Sequence, residues 1–378
     1  MDNTVLVTPT RARRVILAPD KFKGSLTAAE VAAALAVGIR RAHLDIEVRQ
    51  LPIADGGDGT VDAFLAAGWD RIAVTAPGPT GVPGETAYAR RGGTAVIELA
   101  AVTGLVKLPG AQPDPLHAGT YGLGVVIAHA LDAGVRDIVL GLGGSASTDG
   151  GAGLLQALGL RVLDAAGNEI PAGGAALAHA ARVDRAGLHP ALADTRFTLA
   201  SDVDNPLLGP HGAVAVYAPQ KGATATDLPI LEAALTNWAA LLGPERANEP
   251  GAGAAGGAGF AALTVLDAIP RPGIDLILEL VGFPAALAEA DLVITGEGSL
   301  DAQTLNGKAP MGVAAAARRA GVPVIAVAGR ILLGEKELRD AGFAEAYALT
   351  EFEPDPERCM SRAANLLQRM AIRLAGKV

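Results

Sequence analysis

Eight carboxylate side chains follow short apolar runs or glycine-rich turns, and this placement predicts a shared site. In an open parallel sheet the carboxyl ends of the strands meet at one crevice, so side chains that follow strands converge there. Carboxylates in such a crevice bind Mg²⁺ and orient or deprotonate an acceptor hydroxyl, as phosphoryl transfer requires. The eight residues are Asp20, Asp55, Asp58, Asp149, Asp202, Asp204, Glu297 and Asp301.

Lysines are scarce in this chain, and four of the seven lie in turns beside glycine or proline: Lys21, Lys23, Lys221 and Lys308. A single lysine in a turn is more often a solvated surface residue than a ligand. Four of them at the predicted ends of strands nevertheless supply the cations that phosphate groups and a substrate carboxylate need.

The segment GGSASTDGG, residues 143–151, joins a predicted strand to a predicted helix. Free N–H groups and the helix dipole favour an anion at such a junction. The alternative interpretation is a tight turn without a ligand. The density of hydroxyl groups favours a phosphate-binding loop.

Other nucleotide-binding signatures are weak or missing. Residues 251–256, GAGAAG, match GxGxxG, but they follow a polar stretch where the dinucleotide fingerprint requires a strand. A mobile loop or close helix packing is the simpler interpretation. The sequence has neither a P-loop nor the protein-kinase signatures, so it does not belong to those two classes.

Composition restricts the class of protein further. The 378 residues are 50% hydrophobic but only 3% aromatic, which is typical of parallel strands covered by helices. A net charge of −9 without clustered Lys and Arg argues against a nucleic-acid partner. The single cysteine, Cys359, forms no intrachain disulfide, and the six histidines have no metal-binding spacing.

Nothing in the sequence predicts a targeting segment or a membrane span. No run approaches the roughly 18 apolar residues that a membrane-spanning helix needs. We therefore predict a cytoplasmic protein whose residues 1–13 form a disordered or weakly held extension.

Apolar runs alternate with glycine turns and Ala/Leu-rich helical spacing, which predicts an α/β fold with a mostly parallel sheet. A capping box at Thr27 to Glu30 predicts the start of a helix that extends to about Arg40. Another helix is predicted over about 228–241. The predicted strands cover residues 15–18, 46–51, 135–142, 197–203, 292–295 and 322–328.

The last units repeat the pattern of residues 14–75, which predicts a discontinuous first domain. The run PGPTGVP, residues 77–83, breaks all periodicity and is interpreted as the crossing into a second domain. We predict a Rossmann-like or flavodoxin-like domain from residues 1–76 and 288–378, an inserted α/β domain at 77–287, and a cleft between them.

Seven motifs in order along nearly the whole chain resemble the bacterial type 1 glycerate kinase family. They are APDKFKGSLTA (18–28), ADGGDGT (54–60), GLGGSASTDGGAGLLQALG (141–159), SDVDNPLLGPHGA (201–213), PQKGA (219–223), PGAGAAGG (250–257) and ITGEGSLDAQTLNGKAP (294–310). The resemblance implies two α/β domains, ATP and Mg²⁺ as cosubstrates, and D-glycerate as acceptor. It favours 2-phosphoglycerate over 3-phosphoglycerate as the product.

On this resemblance and the loop chemistry, each candidate residue has an expected role. For the nucleotide phosphates we expect Gly143, Gly144, Ser145, Ser147 and Lys308. For Mg²⁺ we expect Asp202 and Asp204. The expected catalytic residues are Asp202, Asp149 as the base, and Lys21 as a cation. For substrate binding we expect Lys23, Asp20, Asp55, Glu297 and Asp301.

Three alternatives remain open at the level of sequence. One is a kinase of a related small sugar acid, which a wider substrate panel distinguishes. The second is a non-catalytic α/β ligand-binding protein in which the aspartates only form turns. The third is a dinucleotide oxidoreductase, which tight NAD(H) binding without ATP binding would indicate. Either a monomer or a homodimer is compatible with the sequence.

Overall fold

A computed structural model describes residues 12–376, so the extension predicted for residues 1–13 lies outside the described residues except for its last two positions. The chain divides into two compact units. The first combines the chain up to Ile53 with the chain from Leu278 onwards, and the second is Ala54–Ile277. Each unit is built around its own parallel strands, so the α/β class predicted from the sequence is confirmed.

The helices and strands follow in chain order. The first unit begins with β1 (Arg14–Pro19), α1 (Ala28–Ala42) and β2 (Glu47–Gln50). The second contains α2 (Thr60–Ala66), β3 (Asp70–Pro77), β4 (Pro83–Arg91), β5 (Thr94–Glu98), α3 (Ala100–Thr103), α4 (Tyr121–Asp132), β6 (Asp137–Gly141), α5 (Ala152–Ala157), β7 (Arg161–Leu163), β8 (Arg182–Asp184), β9 (Arg196–Ala200), α6 (Ala213–Tyr217), α7 (Asp227–Leu242), α8 (Ala254–Val265) and β10 (Ile269–Arg271). The chain continues with α9 (Gly273–Leu280), α10 (Phe283–Leu287), β11 (Leu292–Leu300), α11 (Ala309–Ala320), β12 (Val324–Ile331), α12 (Glu335–Asp340), β13 (Glu345–Ala348), α13 (Pro356–Ser361) and α14 (Ala363–Ala375).

The first unit is a five-stranded parallel sheet in the order β13-β12-β11-β1-β2. Leu17 of β1 pairs with Ile294 of β11, so strands from the two ends of the chain are neighbours at the centre. The predicted capping box is confirmed: the Thr27 hydroxyl accepts from the Glu30 N–H, and the Glu30 carboxylate accepts from the Thr27 N–H. Helix α1 packs on α14 and covers the sheet with aliphatic side chains.

The second unit is a six-stranded mixed sheet in the order β10-β9-β6-β5-β4-β3, with a separate hairpin of β7 and β8. Strands β5, β6, β9 and β10 are parallel, and β3 and β4 are antiparallel at one edge. Because α4 and β6 supply buried leucine, isoleucine and valine side chains, the core of this unit is aliphatic, as its composition indicates.

The run PGPTGVP is a hairpin turn, which corrects its interpretation as a domain crossing. Pro77 pairs with Pro83 at the ends of β3 and β4, inside the second unit. The units instead change at Ile53 to Ala54 and at Ile277 to Leu278, in place of the predicted boundaries at 76 and 287. Proline and glycine end periodicity in a hairpin as they do in a linker, so the local pattern did not distinguish the two.

Among the described helices, none combines the length and the apolar character that crossing a membrane requires.

Candidate active site

In the first unit, candidate residues lie where β1 ends beside the middle of β11. The N–H of Asp20, directly after β1, donates to the Gly296 carbonyl at 2.8 Å. The N–H of Lys21 donates to the Asp20 carboxylate at 2.6 Å, and the Asp20 side chain is buried. Lys21 is half-buried and Lys23 is exposed. The parallel pairing of β1 and β11 therefore positions the 20–23 loop against the second half of β11.

Glu297 of β11 is a buried carboxylate, 7% exposed, with two partners from the following loop and helix. The Thr304 hydroxyl donates to its Oε1, and the Lys308 ammonium lies 3.7 Å from its Oε2. A buried charge is tolerated when it is paired and hydrogen-bonded. Glu297 thus holds Lys308, the N-cap of α11, at this edge of the sheet.

Asp301 belongs to the same group but uses its carboxylate to form a turn. It accepts from the Gln303 N–H at 2.9 Å and from the Ser299 hydroxyl at 3.2 Å. Slight burial raises its pKa, but the Gln303 hydrogen bond and the charge of Lys308 outweigh this and hold the pKa below its ordinary value. Asp301 is therefore ionised at neutral pH and shapes the 301–304 turn.

Thr304→Val is expected to destabilise the first unit by about 1–3 kcal/mol, because it leaves the buried Glu297 carboxylate without its hydroxyl donor. Thr304 is fully buried and also accepts from the Asp301 N–H at 3.0 Å. Hydrogen exchange of β11 measures the effect within this unit. Thr75→Val is the matched control, because Thr75 donates to Glu85 at an exposed site, where less than about 1 kcal/mol is expected. Equal protection of β11 in both variants would contradict the role of Thr304.

In the second unit, the glycine loop predicted to bind phosphate follows β6 and is closely packed. The N–H of Gly143 donates to the Gly56 carbonyl at 3.4 Å, and the N–H of Ala146 donates to the Thr103 carbonyl at 3.1 Å. A Cβ on Gly143 would lie 2.5 Å from the Cα of Gly57, so only glycine fits there. Two amides of the loop thus bond to protein carbonyls, and the phosphate role of Gly143, Gly144, Ser145 and Ser147 stays a prediction.

The loop also lies against Lys221 and the second glycine-rich segment. Lys221 Nζ donates to Ser145 Oγ at 2.7 Å and to the Ser147 carbonyl at 2.5 Å. A Cβ on Gly256 would lie 2.1 Å from the Ser147 carbonyl oxygen. GAGAAG is therefore a close-packing segment at the start of α8, which favours the simpler interpretation over a dinucleotide fingerprint.

The carboxylate of Asp149 is buried and engaged by protein donors, and its role as the base stays a prediction. It is 1% exposed and accepts from the Thr120 N–H and hydroxyl, both at 2.8 Å. It also accepts from the N–H groups of Gly151 at 3.1 Å and Gly153 at 3.2 Å. Burial raises the pKa of Asp149, and these hydrogen bonds oppose the rise. The contacts join the starts of α4 and α5, so Asp149 also has a structural role in this loop.

Asp202 lies on the surface of the second unit among other carboxylates. Its Oδ1 accepts from the Gly273 N–H at 2.9 Å. Partial desolvation raises its pKa, the Gly273 hydrogen bond opposes this, and the charges of Asp55 and Asp275 raise it further. Asp55 itself accepts from the Gly57 N–H at 3.0 Å.

The carboxylates at Asp202 repel one another, and a bound divalent cation would relieve that repulsion. Mg²⁺ suits such a place because it prefers one or two carboxylates and several waters as ligands. The described residues contain no group of three His, Cys, Asp or Glu side chains that could hold a metal ion by themselves. Asp202 with water and substrate oxygens is compatible with that finding. Asp204 is exposed, and its metal role stays a prediction.

Sequence reasoning missed three residues that organise these loops. Thr120 binds Asp149, Thr304 binds Glu297, and Glu98 accepts from the N–H groups of Gly59 and Val61 at 3.0 and 2.9 Å. Glu98 is buried at the end of β5, so it holds the ADGGDGT loop. Recognition of β5 as a strand would have indicated a carboxylate at its carboxyl end.

The fold and the site together define an α/β protein with carboxylates and lysines at the carboxyl ends of parallel strands. The model of the Glycerate kinase family matches residues 15–378. Glycerate kinase of Bacillus subtilis (strain 168) is 43% identical over 97% of both chains. Glycerate 2-kinase of Escherichia coli (strain K12) is 41% identical over 84% of this chain and 85% of that protein.

The crystal structure of a putative glycerate kinase 2 from Salmonella typhimurium LT2 is also similar. It superposes with a TM-score of 0.83 at 40% identity, covering 97% of this chain and 99% of that one. The chain therefore belongs to the glycerate kinase family, and the resemblance stated from its motifs is confirmed.

Proposed function

We propose that this protein transfers the γ-phosphoryl group of ATP to a hydroxyl of D-glycerate, giving ADP and 2-phosphoglycerate. The observation that carries the proposal is the family match over residues 15–378, which includes every residue of both groups described above. The name of the Escherichia coli relative, glycerate 2-kinase, supports the 2-phosphate as the product.

In the first unit, the proposed roles follow from charge and position. Lys308, held by Glu297, binds nucleotide phosphate as a cation at the start of α11. Lys21 and Lys23 bind the glycerate carboxylate from the loop after β1. Asp20, whose carboxylate accepts from the Lys21 N–H, orients a glycerate hydroxyl. Glu297 and Asp301 keep this loop and Lys308 in place.

In the second unit, the Gly143 to Ser147 loop receives phosphate oxygens, and Asp202 with Asp204 holds Mg²⁺ directly or through water. Asp55 adds negative charge beside Asp202. When bound, Mg²⁺ neutralises charge on the phosphates. Phosphoryl transfer has a loose transition state, so positioning contributes more than a strong base, and Asp149 contributes by holding the loop.

Phosphorus-31 NMR of the purified protein with ATP, Mg²⁺ and D-glycerate tests the proposal. A 2-phosphoglycerate signal is the expected result, and a 3-phosphoglycerate signal would reverse the proposed orientation of glycerate. ATP binding without product on glycerate, but with turnover of another sugar acid, would change the substrate. If the protein shows no ATP binding and no turnover, a non-catalytic ligand-binding protein is the remaining candidate. The turn-forming contacts of Asp55, Asp149 and Asp301 support that candidate. The cytoplasmic location stays a prediction.

A further inference from the structure

Lys221 is a lysine buried in the second unit, 3% exposed at the end of the turn Pro219–Lys221. Its ammonium group makes two hydrogen bonds, to Ser145 Oγ at 2.7 Å and to the Ser147 carbonyl at 2.5 Å. Both acceptors belong to the glycine loop that follows β6. Lys221 is 76 residues from Ser145 and 74 residues from Ser147 in the sequence, and it binds both positions of the loop.

The neighbouring hydroxyls of the loop do not hold it in the same way. Ser147 Oγ and Thr148 Oγ1 are buried and have no hydrogen-bond partner among residues 12–376. Gly256 leaves space for the lysine, because a Cβ at that position would lie 2.9 Å from Lys221 Nζ. Among the described residues, Lys221 therefore makes two side-chain hydrogen bonds to this part of the loop, in addition to the backbone hydrogen bond of Ala146.

Stability alone does not explain an ammonium group at this position. Burial lowers the pKa of Lys221 to about 7, and the charge of Asp149 opposes this shift. An apolar side chain of similar length avoids the desolvation cost, and replacement of buried charges by apolar groups is often neutral or stabilising. Buried charges with strongly shifted pKa values concentrate at functional sites.

We propose that Lys221 is a positioning residue for phosphoryl transfer, whose ammonium sets Ser145 and the Ser147 carbonyl, and with them the loop amides, in the orientation that receives nucleotide phosphate. The inference rests on the proposed function of the loop. Lys221 acts through the loop, because its own side chain is buried.

Lys221→Met tests the proposal, with Lys107→Met as the matched control because Lys107 is exposed in the same unit. We expect kcat/KM for MgATP to fall on the order of 100-fold, as for a displaced catalytic loop. KM for glycerate is expected to stay within about 3-fold, and Tm within a few degrees, because the desolvation cost that is removed offsets the lost hydrogen bonds. A residue with only a structural role would lower Tm and activity together.

Stability as a function of pH provides a second readout of the buried charge. The folded protein releases the Lys221 proton near pH 7, whereas the unfolded chain keeps it to about pH 10.4. The unfolded state binds more protons in that window, so this residue makes wild-type stability rise with pH between these values. Asp149 is the charged side chain that acts on it. The Tm of Lys221→Met relative to wild type should therefore be highest below pH 7 and decrease above it.

A double-mutant cycle with Ser145→Ala connects Lys221 to the loop. Both changes remove the Lys221–Ser145 contact, so we expect the loss of activity in the double variant to be smaller than the product of the two single losses. Wild-type-like kinetics of Lys221→Met would overturn the positioning role while leaving the proposed function intact, and wild-type-like kinetics of Ser145→Ala would remove Ser145 from it. If Lys221→Met does not fold, Lys221→Arg replaces it, because the guanidinium keeps the charge but does not reproduce the geometry of both hydrogen bonds in this buried position.

If the wild-type protein does not phosphorylate glycerate, calorimetry of MgATP binding replaces the kinetic readout. Binding that is weakened at least about 10-fold by Lys221→Met and by Ser145→Ala would support the positioning role without that substrate, whereas unchanged binding would overturn it. Wild-type protein that neither binds MgATP nor turns over would overturn both proposals.

Discussion

Asp149→Asn is expected to lower the free energy of unfolding of the second unit by about 2–3 kcal/mol. An asparagine presents one acceptor oxygen where the carboxylate presents two, so its amide NH₂ must face the N–H of Gly151 or the donors of Thr120 and Gly153. Thr120 also accepts from the Leu154 N–H at 2.9 Å, so the loss extends to the start of α5. We expect any loss of activity in Asp149→Asn to be accompanied by this loss of stability.

Tryptophan fluorescence during denaturant unfolding measures this effect, because both tryptophans, Trp69 and Trp238, lie in the second unit. Trp238 Nε1 donates to the Gly150 carbonyl at 3.0 Å, directly beside Asp149. Asp164→Asn is the matched control: Asp164 also accepts two backbone N–H groups, but these hydrogen bonds are exposed. We expect less than about 1 kcal/mol for the control. Wild-type stability of Asp149→Asn with a large loss of kcat would restore Asp149 as the base.

Asp202→Asn is expected to reduce kcat on the order of 100-fold, because the charge that a metal ion contributes to the transition state is worth several kcal/mol. The substitution keeps the oxygen that accepts from the Gly273 N–H and removes the negative charge. It also relieves the repulsion with Asp55 and Asp275. The fold should therefore keep its stability while the apparent KM for Mg²⁺ rises.

Steady-state kinetics over a range of Mg²⁺ concentrations measure this effect. Asp194→Asn is the control, since Asp194 is an exposed aspartate of the same unit outside the proposed site. If Asp202→Asn turns over at a near-normal rate at saturating Mg²⁺, Asp202 does not hold the metal. A loss of stability with unchanged Mg²⁺ dependence would assign Asp202 to the turn at Gly273 instead.

The buried parallel strands were predictable because their signal is local. Short apolar runs form strands β1, β6, β9, β11 and β12. Strands of a parallel sheet that are buried on both faces have such continuous apolar sequences. Strands β3 and β4 gave no such signal. They form the antiparallel edge of their sheet and are exposed along much of their length, so their sequence has the composition of a loop.

The candidate site was predictable as a set of loops, but the roles within the loops were not. Asp20, Glu297 and Lys308 were expected from their positions after strands or before a helix, and the structure brings Glu297 and Lys308 together. Asp149 was expected as the base in this loop, but its acceptance of four protein hydrogen bonds was not expected. Its donors include Thr120, 29 residues away, and no pattern near Asp149 indicates that partner.

The sequence by itself determined the α/β class, most of the buried strands and helix starts, and the family, because periodicity, capping and glycine turns depend on neighbouring residues. Tertiary structure decided where the units change, which carboxylates are occupied by protein donors, and that Lys221 lies buried against the glycine loop. Those properties depend on which distant segments meet, and burial then determines the hydrogen bonds and charges that each side chain must satisfy.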